Sequence, residues 1–522
     1  MLNGAAGLRR CVAVWLLGVA VLCAAAWCRG AEYDEQYTLF LTAGVPRPAW
    51  PQGVFAAGLV RQMQAGHASL AQVARDLRRT DVHPPLYFWA AELWRRRVGP
   101  GLFGVRLLSV GCSLGALALV GVLARQAGVP PALAMLLALG SYGFVYTGCV
   151  ARGFALAQAL NLGGLVCTLA VVPRREAGGS AGGSAIASAF AAAPASRTAG
   201  TGFGSACALA AGLLFGAAST SNYLAVFVGL AALAWLRGRH ALLAAAGMLP
   251  FLAVDAWFFA AQHGSRPEQF PSFALTAALP RLARYAAANL FGGLPLYVPE
   301  GLLRTGVALV LAALLVGLTG LAIAHWRQRP DPAGRLLGGS ALAQPLGLLA
   351  LGLVFDTTPV ELRYLVFAVP PVAVLLAGAL ATRPALLRRG VLALQAAAIL
   401  GLLLRPETMQ PARATAASVA AVTAGRDSVV LLPYGNDGVG IVGAFGIEVP
   451  PTQRLLLVRG PVAPNPLRDR VGTVPVVLVA PLTQDASSRT AIPALLGVLS
   501  GACWRRLGET PVPAFRPVCR GT

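Results

Sequence analysis

The chain has 522 residues, 57% of them hydrophobic and only 12% charged, a balance that excludes an ordinary soluble globular protein and makes lipid its main solvent. Its net charge of +22 comes from 42 basic residues, all of them arginine. They punctuate the ends of apolar runs instead of clustering on one stretch, so the charge sets membrane orientation and nucleic acid is rejected as a partner.

Runs long enough to cross about 30 Å of hydrocarbon occur at about 11–28, 103–124, 131–149, 154–172, 205–219, 222–236, 240–261, 302–325, 335–355, 363–381 and 389–404. This predicts about eleven transmembrane helices. The first, with Arg9 and Arg10 ahead of it, suits a cleavable signal peptide or an uncleaved anchor; the anchor is preferred because it tethers the acidic residues that follow at the membrane surface. With alternating spans, Arg9, Arg10, Arg125, Arg174, Arg175, Arg237, Arg239, Arg327, Arg329, Arg383, Arg388 and Arg389 fall on one side. The N-terminus is then cytoplasmic and the C-terminal segment extracytoplasmic.

The first external loop, about 29–102, opens on Tyr33-Asp34-Glu35-Gln36-Tyr37. Two adjacent carboxylates suit a general base for an acceptor hydroxyl or a charge pair at a helix N-terminus. Further on, Asp81-Val82-His83-Pro84-Pro85-Leu86-Tyr87 uses two prolines to fix an extended approach to a helix start. His83 to Trp94 is apolar but too short to cross, and is predicted to lie in the interface with its aromatic residues at headgroup level, ended by Arg95, Arg96 and Arg97.

Arg152 stands at the outer junction of two spans, where arginine is not expected. A guanidinium there suits a lipid phosphate or snorkels to the headgroups. Residues 173–204, rich in Gly, Ala and Ser, read as a flexible cytoplasmic linker. Ser221-Asn222-Tyr223 either separates two short spans or kinks one long helix. Asp255 lies inside an apolar span, as a functional group or as a partner to a neighbouring helix. Glu361-Leu362-Arg363-Tyr364 places a second arginine on the outer side.

Residues 1–404 thus form a transmembrane domain. In 405–522 the runs Ser428–Leu432, Arg454–Val458 and Val476–Val479, separated by Pro and Gly, predict a small extracytoplasmic α/β domain. The nine cysteines show no CxxC pair, and Cys503 and Cys519 leave a disulfide open. No glycine-rich nucleotide loop and no HExxH motif occurs.

These elements, in this order, resemble the GT-C superfamily of membrane glycosyltransferases, in particular the family 39 group of protein mannosyltransferases and lipid A aminoarabinose transferases. Asp34-Glu35 is similar to the acidic pair of that group's first external loop, and His83-Pro84-Pro85-Leu86-Tyr87 to its HPPLYY-type segment. Arg106-Leu107-Leu108-Ser109 resembles its RLxS start of a span, and Ala151-Arg152-Gly153-Phe154-Ala155-Leu156 its EARMYAL run, with Val150 where an acidic residue is usual. Arg363-Tyr364 followed by Pro370-Pro371 resembles its late Arg-Tyr and proline pattern.

The resemblance implies an all-α polytopic membrane bundle with an external active site, in a bacterial inner membrane. It implies transfer of a sugar, hexosyl or pentosyl, from a polyprenyl-phosphate donor to a cell-envelope acceptor, with inversion. Asp34 and Glu35 are then the catalytic carboxylates, and Asp81, His83, Tyr87, Arg152, Arg363 and Tyr364 bind donor phosphate or substrate. No metal ligand is assigned, and help from a divalent cation is left open. A multi-span permease and a non-catalytic scaffold are the alternatives; charges at the outer boundary and the lack of an internal repeat count against the permease.

Overall fold

A computed structural model describes residues 4–171, 199–263, 272–292, 301–329, 331–356, 360–404, 411–423, 425–434, 438–459, 464–483 and 486–519. The first apolar helix, α1 (Gly4–Cys28), leads into α2 (Tyr33–Thr42), a two-residue strand β1 (Phe55–Ala56), and three helices, α3 (Gly58–Gln64), α4 (Leu70–Thr80) and α5 (Leu86–Val98). The bundle continues with α6 (Leu102–Gln126), α7 (Pro131–Leu139), α8 (Tyr142–Gly148), α9 (Phe154–Val171), α10 (Ala199–Ser221), α11 (Val226–Trp235) and α12 (Gly238–Gln262). Then come α13 (Leu275–Phe291), α14 (Leu302–Gln328), α15 (Pro332–Phe355), a 3-10 segment Leu362–Ala368 running into α16 (Val369–Ala381), and α17 (Ala385–Leu404).

Among the described residues nine helices are long and apolar enough to cross a membrane, or ten if α7 and α8, which meet at a 68° bend, form one broken span. The chain is an integral membrane protein. All eleven expected stretches are helical; the one at 363–381 opens on the 3-10 segment, and two others differ from simple spans. The stretch at 131–149 breaks between Leu139 and Tyr142. That at 222–236 is a 3-10 turn, Tyr223–Ala225, followed by α11, whose ten residues reach only about 15 Å. Ser221-Asn222-Tyr223 is a true break and not a kink: Asn222 Oδ1 accepts from the Leu224 amide at 3.1 Å and caps the new turn. Most of the expected linker, 172–198, lies outside the described residues, and α10 begins at Ala199.

The segment 83–94 is helical from Leu86 and packs one face into protein. Tyr87 and Phe88 are buried in protein, and Arg95, expected to end the helix at an interface, is fully buried within α5. Its guanidinium donates to Thr42 Oγ1 at 2.6 Å and to the Gln64 carbonyl, so carbonyl and hydroxyl groups at the ends of α2 and α3 replace water. The helix buries one face against α2, α3 and α6 and leaves Leu93, Arg96, Arg97 and Val98 exposed on the other.

Past the bundle lie α18 (Ala412–Thr423), β2 (Ser428–Pro433), α19 (Gly440–Glu448), β3 (Arg454–Val458), α20 (Pro464–Val471), β4 (Val476–Val479), α21 (Ala486–Leu499), β5 (Trp504–Arg506) and β6 (Ala514–Pro517). The sheet order is β1-β3-β2-β4-β6-β5. Strand β2 runs parallel to β3 and β4, with Val430 opposite Leu455 and Leu478. Val430 and Leu432 enter one core with Phe445, while Val429 and Leu431 enter another with Leu495 and Trp504. Helices on both faces explain why β2 is apolar at consecutive positions. Cys503 and Cys519 are joined by a disulfide.

The edge strand β1 comes from the first loop and pairs antiparallel with β3, Phe55 opposite Leu455. Tyr37, Phe40 and Trp50 share the core of the sheet with Val442 and Phe445. Arg61 adds three hydrogen bonds, to the carbonyls of Gly446, Ile447 and Val449 at 3.0, 2.6 and 2.9 Å, capping the end of α19. The first loop and the C-terminal sheet are one packed unit above the same end of the bundle.

Candidate active site

A cavity of about 820 Å³ opens where α2, the turn before α5, the turn between α8 and α9, and the start of the 3-10 segment meet. Its polar wall carries Asp34, Tyr37, His83, Arg152, Arg363 and Tyr364. Its apolar wall comes from Leu224 and Phe227, from Leu252 and Phe259 of α12, and from Leu348, Leu351 and Phe355 of α15.

Asp34 sits in the first turn of α2, which a reciprocal capping box starts: the Glu32 amide donates to Glu35 Oε2 at 2.9 Å, and Glu32 caps the N3 amide in return. Asp34 is ion-paired with Arg363 Nη1, and Arg363 Nη2 reaches Glu361 Oε2 at 2.8 Å. One guanidinium thus serves two carboxylates.

Glu35 does not share this cavity. Its carboxylate is fully buried and takes two parallel bonds from Arg106, Nε to Oε1 at 2.7 Å and Nη2 to Oε2 at 2.6 Å. Burial alone would raise its pKa; the Arg106 guanidinium and the amides of Ala151 and Glu32 outweigh it and hold the carboxyl below the usual range. Arg106 also donates to the carbonyls of Ala26, Arg29 and Gly30 at 2.8, 2.8 and 2.6 Å. Through Ala151, whose amide donates to Glu35 at 2.8 Å and whose carbonyl accepts from Thr38 at 2.8 Å, this pair sets the Arg152 turn against α2.

In that turn Gly153 lies so close to α10 that a Cβ would strike the Ser221 carbonyl, and Ser221 Oγ donates to the Gly153 carbonyl at 2.9 Å. Arg152 is 3% exposed, and its Nη2 is 3.0 Å from both His83 ring nitrogens, of which Nδ1 also faces Asp81. Since guanidinium only donates, Nε2 accepts and Nδ1 donates to Asp81 Oδ1 at 2.9 Å. Asp81 is buried outside the cavity and orients His83. Gln262 at the end of α12 fixes the same segment, donating to the carbonyls of Leu77 and His83 at 3.0 Å each.

Arg363 rides on a segment whose shape follows from Pro370 and Pro371. Proline has no N–H, so in a continuous helix the carbonyl four residues before each would lack a donor. Gln158 supplies one, Nε2 to the Val366 carbonyl at 3.0 Å. Asn289 Nδ2 bonds the Leu362 carbonyl at 2.8 Å and Gln344 Nε2 that of Tyr364 at 2.6 Å. Three buried amides from α9, α13 and α15 hold Arg363 and Tyr364 in the wall.

Of the residues singled out from sequence, Asp34, His83, Arg152, Arg363 and Tyr364 share the cavity. Asp81 stands behind it and Glu35 apart from it. Tyr87 is also outside: it is fully buried, its hydroxyl 3.1 Å from Ser109 Oγ, tying α5 to α6. Tyr37, Asn222, Tyr223 and Gln262 line the cavity without having been singled out as site residues. Tyr37 was within reach, since it follows Asp34 by three positions on one helix face. Among the described residues no group of three or more His, Cys, Asp or Glu side chains gathers as a metal site.

No family model and no curated protein matches the chain. Solved structures do. ArnT from Cupriavidus metallidurans in the apo state aligns over 99% of each chain at 13% identity and a TM-score of 0.51. The same protein bound to undecaprenyl phosphate aligns over 99% of each chain at 12% identity and the same TM-score, 0.51. An oligosaccharyltransferase from Archaeoglobus fulgidus in the apo form covers 86% of this chain and 65% of its own at 11% identity, with a TM-score of 0.42, too distant to bear an argument. At these identities the likeness is one of fold alone: the chain shares the architecture of ArnT over its whole length.

Proposed function

We propose that the chain is a membrane glycosyltransferase that moves a sugar from a polyprenyl-phosphate donor to a cell-envelope acceptor, at the extracytoplasmic face of a bacterial inner membrane. The observation that carries this reading is one cavity with an apolar wall suited to an isoprenoid chain and a polar wall holding Asp34, Arg152 and Arg363. The fold it shares with ArnT is one solved with undecaprenyl phosphate bound.

In this reading the acceptor oxygen bonds to the anomeric carbon while the bond from that carbon to the phosphate oxygen breaks. The electron pair leaves on the phosphate, where Arg152 and Arg363 receive the charge, and the acceptor proton passes to Asp34. Attack opposite the departing phosphate inverts the configuration. Asp34 is engaged by Arg363; an incoming phosphate competes for that guanidinium and frees the carboxylate. Glu35 takes no part in proton transfer and acts by position.

Sidedness is supported by the arginines. Arg125 ends α6, Arg237 and Arg239 begin α12, and Arg327 ends α14, all at the bundle end away from the cavity. The cavity and the C-terminal sheet then face outward.

The test compares lipid-linked sugars and envelope glycans in cells with and without the gene. One envelope modification is expected to vanish while its polyprenyl-linked donor accumulates, which also identifies the sugar as hexosyl or pentosyl. Unchanged pools of both would contradict the proposal.

A further inference from the structure

Asp255 is a carboxylate that the transfer chemistry leaves unused. It lies on the face of α12 that lines the cavity, in register with Leu252, Ala256, Phe259 and Gln262, the three-and-four spacing of one helical stripe. The residue is 7% exposed, and neither of its carboxylate oxygens has a close hydrogen-bond partner. The hydroxyls of Ser219 and Thr220 lie beside it as weak donors and are shared with the Gly216 carbonyl, at 2.8 and 3.1 Å. A carboxylate enclosed among apolar helices with only two shared, weak donors is costly to keep, and one that lines a cavity marks a place where a ligand completes it.

The chemistry of the proposed donor narrows what that ligand group is. An isoprenoid chain has no donor to offer, and a phosphate is repelled by a second anion. The glycosyl ring is the part that carries hydroxyl donors. Asp255 stands seven residues, about 10 Å along the axis, from Gln262, which holds the His83 segment beside Arg152. A sugar attached to a phosphate at the arginines would extend toward α12.

We propose that Asp255 is the residue that reads the transferred sugar, its two oxygens accepting hydrogen bonds from adjacent hydroxyls of the glycosyl group. This rests on the glycosyltransferase reading and adds to it the side chain that distinguishes a loaded donor from the bare lipid phosphate.

The test uses the full chain, purified and incubated with lipids extracted from its host's membranes, with retained polyprenyl phosphates measured by native mass spectrometry. The wild type is expected to keep a glycosylated polyprenyl phosphate in preference to the bare one. Asp255→Ala should lower retention of the glycosylated lipid about ten- to a hundredfold, the loss of charge-assisted hydrogen bonds, and Asp255→Asn should lower it less. Both should keep bare polyprenyl phosphate as well as the wild type does, which shows the fold and the lipid site intact. Undiminished retention of the glycosylated lipid by both variants overturns the proposal, as does a wild type that does not distinguish the two lipids. A wild type that retains neither overturns the glycosyltransferase reading itself.

Discussion

On an α-helix consecutive side chains point about 100° apart, and for Asp34 and Glu35 that angle separates two kinds of work. Asp34 faces the cavity and Arg363; Glu35 faces the interior and Arg106. Adjacency made both look like bases, because sequence records neighbours along the chain but not which one meets a buried guanidinium contributed 71 positions later. Replacing Glu35 by Gln leaves Arg106 buried without its counter-charge and should cost roughly 3–5 kcal/mol, read as a lower thermal midpoint in detergent. Because the folded-state pKa of Glu35 is depressed, its contribution is present above the ordinary carboxylate range and is lost as pH falls through the folded value. The gap between wild type and Glu35→Gln should therefore narrow on acidification; a gap that widens would contradict this. The place of Tyr87 was hidden for a related reason: an aromatic at a helix start reads alike whether it faces a cavity or, as here, meets Ser109.

Among elements, the apolar runs were plain in the sequence because a span needs length and hydrophobicity, and both are local properties. What the runs concealed was interruption. The bend between α7 and α8, the shortness of α11 and the 3-10 segment before α16 all depend on which partners satisfy freed backbone groups. Gln158, Asn289 and Gln344 were visible as lone amides within or beside apolar helices, a signal that something unwound lay opposite. Gln158→Leu should leave the Val366 carbonyl buried and unpaired, at about 1–3 kcal/mol. It should also loosen the segment that carries Arg363, so transfer activity is expected to fall while the protein still inserts and folds. Full activity in Gln158→Leu would show that this amide does not hold the site. The three successive arginines that end α5 look alike in the sequence, whereas in the fold Arg96 and Arg97 stay exposed and Arg95 turns inward to α2 and α3.

For the whole molecule, the strands β2, β3 and β4 were readable from β-branched and leucine-rich runs between Pro and Gly turns. The two-residue β1 was not, since so short an edge strand has no periodicity, and with it the joining of the first loop to the C-terminal sheet stayed hidden. That joining matters for the proposed function: α2, which carries Asp34, packs on one side against the sheet's core and on the other against the bundle that supplies Arg152 and Arg363. The cavity is therefore built at a seam between two parts that the sequence separates by hundreds of residues. The central claim is that Asp34 takes the acceptor's proton at this seam. Transfer from the donor that accumulates in gene-deleted cells should be measured with purified wild type and Asp34→Asn. The account predicts that the variant folds, keeps the donor, and loses about 10²- to 10⁴-fold in turnover. Turnover equal to the wild type's would contradict it.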